Sequence, residues 1–136
     1  MKIFLTQLQG YNAMFKLLDN YYKKTKLEEI MSLLPGMLFL VDGDTADPAI
    51  WDDWIEAIND KKILTKQESF DGMIRFFEIY YELVPYTYLK LLIDEMRSAK
   101  DCSDTSVPMV KQWSLHLKEA LQEPEGSREY LRLTKK

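Results

Sequence analysis

One cysteine, Cys102, and one histidine, His116, are present among 136 residues. An internal disulfide is therefore impossible, and metal sites built from several His and Cys are excluded by count. No run of about 18 apolar residues occurs, and mean hydropathy is -0.31, which rules out a membrane-spanning helix of ordinary length. The opening Met1-Lys2-Ile3-Phe4-Leu5 turns polar at Thr6-Gln7, too soon for a signal-peptide core. A reducing cytoplasm is the expected compartment, with no membrane partner. Gly-rich phosphate loops, Gly-x-Ser-x-Gly and His-Glu-x-x-His are all missing. The most informative absence is of positive charge: residues 27–60 contain no Lys or Arg.

That stretch carries nine acids: Glu28, Glu29, Asp42, Asp44, Asp47, Asp52, Asp53, Glu56 and Asp60. Residues 1–26 have five Lys against one Asp, and residues 61–136 are nearly balanced. The net charge of -4 thus hides one strongly negative zone. Such a zone repels phosphate backbones, which argues against direct nucleic-acid binding, and suits a basic partner. At 46% hydrophobic and 29% charged, the composition is that of one globular domain spanning 1–136.

The chain repeats itself. A shift of 59 places Leu5-Thr6 on Leu64-Thr65, Met14 on Met73, and Tyr21-Tyr22 on Tyr80-Tyr81. It also carries Leu33-Leu34 onto Leu92-Ile93, Met37 onto Met96 and Trp54 onto Trp113. Two copies follow, about 5–60 and 64–122, with a tail over 123–136. Each reads as three helices, so the expected fold is all-α: a compact bundle of about six helices with a pseudo-twofold relation between copies. Thr6-x-x-Gln9, Thr25-x-x-Glu28 and Thr65-x-x-Glu68 read as capping boxes. Pro35-Gly36 should end the second helix, and Pro85 the fourth. Asp47-Pro48 should open a third helix running to about Asp60, with Trp51, Trp54, Ile55 and Ile58 on its inner face. Pro108 should open the last long helix, and Ser127 to Leu133 a turn or short helix. No strand is expected; Leu38-Phe39-Leu40-Val41 is too short to establish a sheet.

Catalysis finds little support. Cys102 falls in a loop and His116 in the last helix, with nothing at a recognisable spacing to activate either, so no catalytic residue is assigned and the chain is not expected to be an enzyme. Asp42-Gly43-Asp44 fails the EF-hand test, because positions 5 and 6 would be Ala46 and Asp47. No metal or cofactor is expected. Asp42, Asp44, Asp47, Asp52, Asp53 and Glu56 are the candidate binding patch, with Trp51 as its aromatic anchor. Asp52, Asp53 and Glu56 lie off the inner face of their helix and can point outward together.

An aromatic-rich first helix ends in Tyr21-Tyr22. A second with Leu33-Leu34 leads to Met37, and Asp42-Gly43 with Asp47-Pro48-Ala49-Ile50-Trp51-Asp52-Asp53-Trp54 follows. Over roughly residues 5–100 this pattern resembles the immunity proteins of bacterial contact-dependent growth inhibition systems, small helical toxin antidotes. Pro35-Gly36 and the second copy, which lacks the acidic loop, depart from it. The resemblance implies an antidote that binds a cognate toxin domain, basic and commonly a nuclease, and blocks it. The alternative from charge and fold alone is a helical adaptor or regulator of a basic partner.

Overall fold

The computed structural model describes residues 3–124 and 126–128. Six helices and two short strands follow in order: β1 (Phe4–Thr6), α1 (Gln7–Thr25), α2 (Glu28–Met37), α3 (Pro48–Ala57), β2 (Ile63–Thr65), α4 (Lys66–Leu83), α5 (Thr87–Arg97) and α6 (Pro108–Gln122). The fold is all-α apart from one antiparallel strand pair.

That pair corrects the expectation of no strand. Leu5 stands opposite Leu64, with Phe4 against Thr65 and Thr6 against Ile63. Leu5 and Leu64 are the same position of the two copies, so the ladder has a local two-fold at its centre. Three residues are too few for periodicity to register, and the pairing partner lies in the other copy. Both strands run straight into helices capped alike. Thr6 accepts from the Gln9 N–H at 3.1 Å and Thr65 from the Glu68 N–H at 3.1 Å, each box being closed by the Gln9 or Glu68 side chain.

Packing follows the same symmetry. α1 lies along α2 and against α6, and α4 lies along α5 and against α3, so each copy's first helix is covered by the other copy's third. α1 and α4 approach closely at Gly10, where a Cβ would come within 2.7 Å of the Ser69 hydroxyl oxygen. One contiguous core holds Leu5, Met14, Leu18, Trp54, Leu64, Phe76, Phe77 and Trp113, all essentially fully buried.

Three further boundaries differ from expectation. Thr25 does not cap α2: it ends α1, its hydroxyl donating to the Tyr21 carbonyl at 2.8 Å. Lys26 turns the chain at φ 58°, and Leu27 starts α2 with no side-chain cap. α2 runs through Pro35 to Met37: the proline forgoes an amide bond to Met31 O, but the final carbonyls find partners outside the helix. Gly36 O accepts from the Asp47 N–H at 3.1 Å, and Met37 O from the Tyr11 hydroxyl at 2.7 Å. α3 stops at Ala57, three residues before Asp60. Asn59 and Asp60 turn left-handed, with φ 56° and 54°, and the Asp60 N–H closes on the Ile55 carbonyl at 2.9 Å. The expected element from Ser127 to Leu133 falls largely outside the described residues.

Gly72 marks a tight contact, since a Cβ there would sit 2.5 Å from Ile58 Cγ2. Gly72→Ala should lower unfolding free energy by about 1–3 kcal/mol in urea titration, despite the better helix propensity of alanine. No loss of stability would mean that the α3–α4 contact is looser than described.

Candidate functional site

Residues 38–47 leave α2 and fold back as a small hairpin before α3 begins. Phe39 bridges Thr45, the Leu40 N–H donates to Asp44 O at 2.8 Å, and the Ala46 N–H to Leu38 O at 2.7 Å. The turn Leu40-Val41-Asp42-Gly43 is closed by the Gly43 N–H on Leu40 O at 2.9 Å. Gly43 takes φ 95°, the left-handed residue such a three-residue hairpin loop requires. Val41 at the tip is fully exposed.

The acids of this loop partly serve the loop itself. Asp42 Oδ1 accepts from the Asp44 N–H at 2.9 Å, and Asp44 Oδ1 from the Thr45 N–H at 2.8 Å. Asp47 caps α3 by accepting from the Ala49 N–H at 3.1 Å. The element that fixes hairpin to helix is Thr45, fully buried in a polar loop. Its hydroxyl donates to Asp47 O at 2.7 Å and accepts from the Trp51 N–H at 3.3 Å. Periodicity gives no signal for such a residue, which is why the sequence reading missed it.

Below the hairpin sits an aromatic cluster. Tyr11 meets Phe39 at 5.5 Å, Trp51 at 5.1 Å and Trp54 at 6.2 Å between ring centroids, and Phe39 meets Trp51 at 5.9 Å. Trp51, expected as a contact residue, is partly buried here and supports the loop from beneath. Burial drives the Tyr11 phenol far above its ordinary pKa, so it remains a neutral donor to Met37. The Arg128 guanidinium lies over the Phe39 ring at 5.4 Å, and its hydrogen bond goes to Gly126 O.

Asp52, Asp53 and Glu56 project from the second turn of α3 onward; its first turn has no acid. The helix dipole fades within one turn, so it gives these carboxylates little support. Asp52 and Glu56 are exposed and Asp53 is partly buried. Partial burial, then Glu56, Asp47 and Asp52, raise the Asp53 pKa above the usual carboxylate value. Four of the six candidate acids thus form one electrostatic group, while Asp42 and Asp44 lie on the hairpin and hold its amides. Nearby cations are mostly engaged elsewhere: Lys61 pairs with Glu68, and Lys62 with Asp60 at 2.9 Å. Arg75 reaches Glu56 only at 4.0 Å, between well-exposed side chains, where a pair is worth little.

The other reactive groups lie apart from this site. His116 Nδ1 pairs with Glu119 at 2.7 Å. The Cys102 thiol is pushed up chiefly by burial and by Asp101, with Lys66 opposing. Among the described residues no group of three or more His, Cys, Asp or Glu is arranged to hold a metal ion, and no helix is long and apolar enough to cross a membrane.

Thr45→Val keeps shape but removes both hydroxyl bonds. It should cost about 1–3 kcal/mol, read by chemical denaturation, with the loss centred on amide-exchange protection of residues 38–51. Asp53 gives a pH signature. Its folded pKa is raised, so the folded state holds more protons than the unfolded chain between the ordinary carboxylate value and the raised one. Its contribution to stability therefore falls as pH rises through that window. Asp53→Asn should raise Tm above the window and leave it nearly unchanged below; a lower Tm near neutral pH would contradict the crowding. No family model, curated protein or solved structure matches the chain.

Proposed function

We propose that the chain is an antidote: a cytoplasmic immunity protein that binds one basic toxin domain, a nuclease by preference, and blocks it without doing chemistry itself. The observation that carries this reading is the grouping of Asp47, Asp52, Asp53 and Glu56: partial burial and then its three acidic neighbours raise the Asp53 pKa, while Lys61 and Lys62 pair with other acids. A fold keeps such repulsion at some cost in stability, and a cationic surface on another molecule relieves it. The resemblance of Tyr21-Tyr22 through Asp47-Pro48-Ala49-Ile50-Trp51-Asp52-Asp53-Trp54 to contact-dependent growth inhibition immunity proteins supports the same partner class.

The acids would steer encounter, and the rigid hairpin with Val41 at its tip would supply the close contact. Steering raises association rates about ten- to a thousandfold at low salt, whereas close contacts set dissociation. The hairpin's bonds to Thr45 and the aromatic layer beneath it limit the ordering cost on binding.

The test begins with the C-terminal domain of whatever protein is encoded immediately upstream of this gene. Co-expression should rescue growth, and the purified chain should inhibit the toxin at one-to-one stoichiometry. Replacing Asp52, Asp53 and Glu56 with Lys should lower the association rate at least about tenfold at low salt, with the circular dichroism spectrum preserved. Failure to inhibit refutes the antidote; unchanged association kinetics refutes the acidic face as its contact.

A further inference from the structure

The internal duplication supplies a control for each surface, and one pair of surfaces differs sharply. A groove runs between α1 and α2, floored by Phe15, Tyr22, Met31, Leu34, Pro35 and Leu38, with a cavity volume of about 370 Å³. A groove in the same place of the second copy runs between α4 and α5 and includes Tyr81, Lys90, Ile93, Asp94 and Arg97. The shift of 59 carries Tyr22 onto Tyr81 and Leu34 onto Ile93, so the frames agree. It also carries Met31, Pro35 and Leu38 onto Lys90, Asp94 and Arg97.

In the second copy those charged residues lace the groove. Lys90 pairs with Asp94 at 3.2 Å, Arg97 with Glu78, and Arg75 with Glu78 at 3.9 Å. In the first copy the same positions are apolar, and Met31 is 48% exposed. The fold therefore does not require an apolar surface there, because the sister unit lines the equivalent groove with ion pairs. The rims differ too. Lys23 and Lys26 line the first groove, where the second copy has Glu82 and Pro85. Lys23 is held by Asp19 at 3.1 Å, and Lys26 lies over the Tyr22 ring at 5.4 Å. Lys24 adds a third cation in the same turn, and Glu28 follows at the start of α2.

We infer that the α1–α2 groove is a docking site for an amphipathic helix of a partner, one whose apolar ridge is flanked by carboxylates. Two antiparallel helices with an apolar trough between them accept a third helix through anchors at i, i+4 and i+7. An exposed methionine in the wall suits this, since its flexible thioether adapts to the entering side chains. Lys26, whose ammonium rests on the Tyr22 ring, and Lys23, which shares the rim with its partner Asp19, favour acidic flanks over basic ones. This surface is separate from the acidic face and of opposite preference, so the inference stands whether or not that face binds a toxin.

The test uses the full chain and two labelled synthetic helices, each with Leu at i, i+4 and i+7, one flanked by Glu and one by Lys. In fluorescence anisotropy the Glu-flanked peptide should bind at least about tenfold more tightly. Met31→Lys with Pro35→Asp installs the second copy's own residues and should weaken that binding about tenfold or more while preserving Tm. Lys23→Glu with Lys26→Glu, which leaves the floor intact, should remove the preference between the two peptides. No binding at about 100 μM, equal binding of both peptides, or full binding by the Met31/Pro35 variant overturns the proposal. So does a dimer in sedimentation that Met31→Lys abolishes, since the groove would then serve a second copy of the chain.

Discussion

Neutral hydrogen bonds, made by groups no partner would touch, hold the charged surface of this protein in shape. Thr45 ties the 38–47 hairpin to α3 through Asp47 and Trp51, and Tyr11 ties the end of α2 to α1 through Met37. Both hydroxyls belong to fully buried residues. Asp52, Asp53 and Glu56 are spaced by the α3 backbone itself, and the Thr45 bonds bring Asp47 to the group by fixing the hairpin to the helix. Asp53 thus keeps three acidic neighbours and a raised pKa.

The duplication explains how one scaffold carries two unlike faces. Both copies share the capped first helix, the Tyr-Tyr pair and a buried tryptophan on the third helix. Their surfaces have diverged: the first copy has the acidic hairpin and the apolar groove, and the second has ion pairs in the corresponding groove. The divergence reaches the core. Trp54 donates its indole N–H to Gln7 O at 3.1 Å, whereas the equivalent N–H of Trp113 is buried without a partner among the described residues. The second copy is thus less completely satisfied at its own α6, although the two strands that join the copies meet in symmetric register.

Much of this was legible in the chain. Helical spacing of large apolar residues marked six helices, and the shift of 59 paired Leu5 with Leu64, which proved to be opposite one another in the ladder. Asp47-Pro48 marked the start of α3 because a cap and a first-turn proline are local signals. The failures differ in cause: at Thr25 one local bond displaced another, whereas at Pro35 a distant partner overruled the local signal. Thr25 had the spacing of a cap but turned back to Tyr21, and Pro35 did not stop α2 because Tyr11 and Asp47 satisfied the end of the helix from elsewhere. Thr45 offered no pattern, and Trp51 could not be known as loop support until Phe39 and Tyr11 were placed beside it. The acidic zone was visible as composition, but its division into loop-holding acids (Asp42, Asp44) and a mutually repelling group (Asp47, Asp52, Asp53, Glu56) required coordinates.

Those four carboxylates repel one another, and the one cation that reaches them among the described ion pairs, Arg75, does so only at 4.0 Å from Glu56 and between exposed side chains. The direct measurement is a site-resolved carbon NMR titration of the Asp53 side chain, in the native chain and with Asp52 and Glu56 made neutral. The expected midpoint lies above the ordinary aspartate value and falls part of the way toward it when the neighbours lose their charge, with burial holding the remainder. A midpoint at or below the ordinary value, unmoved by those substitutions, would contradict this repulsion.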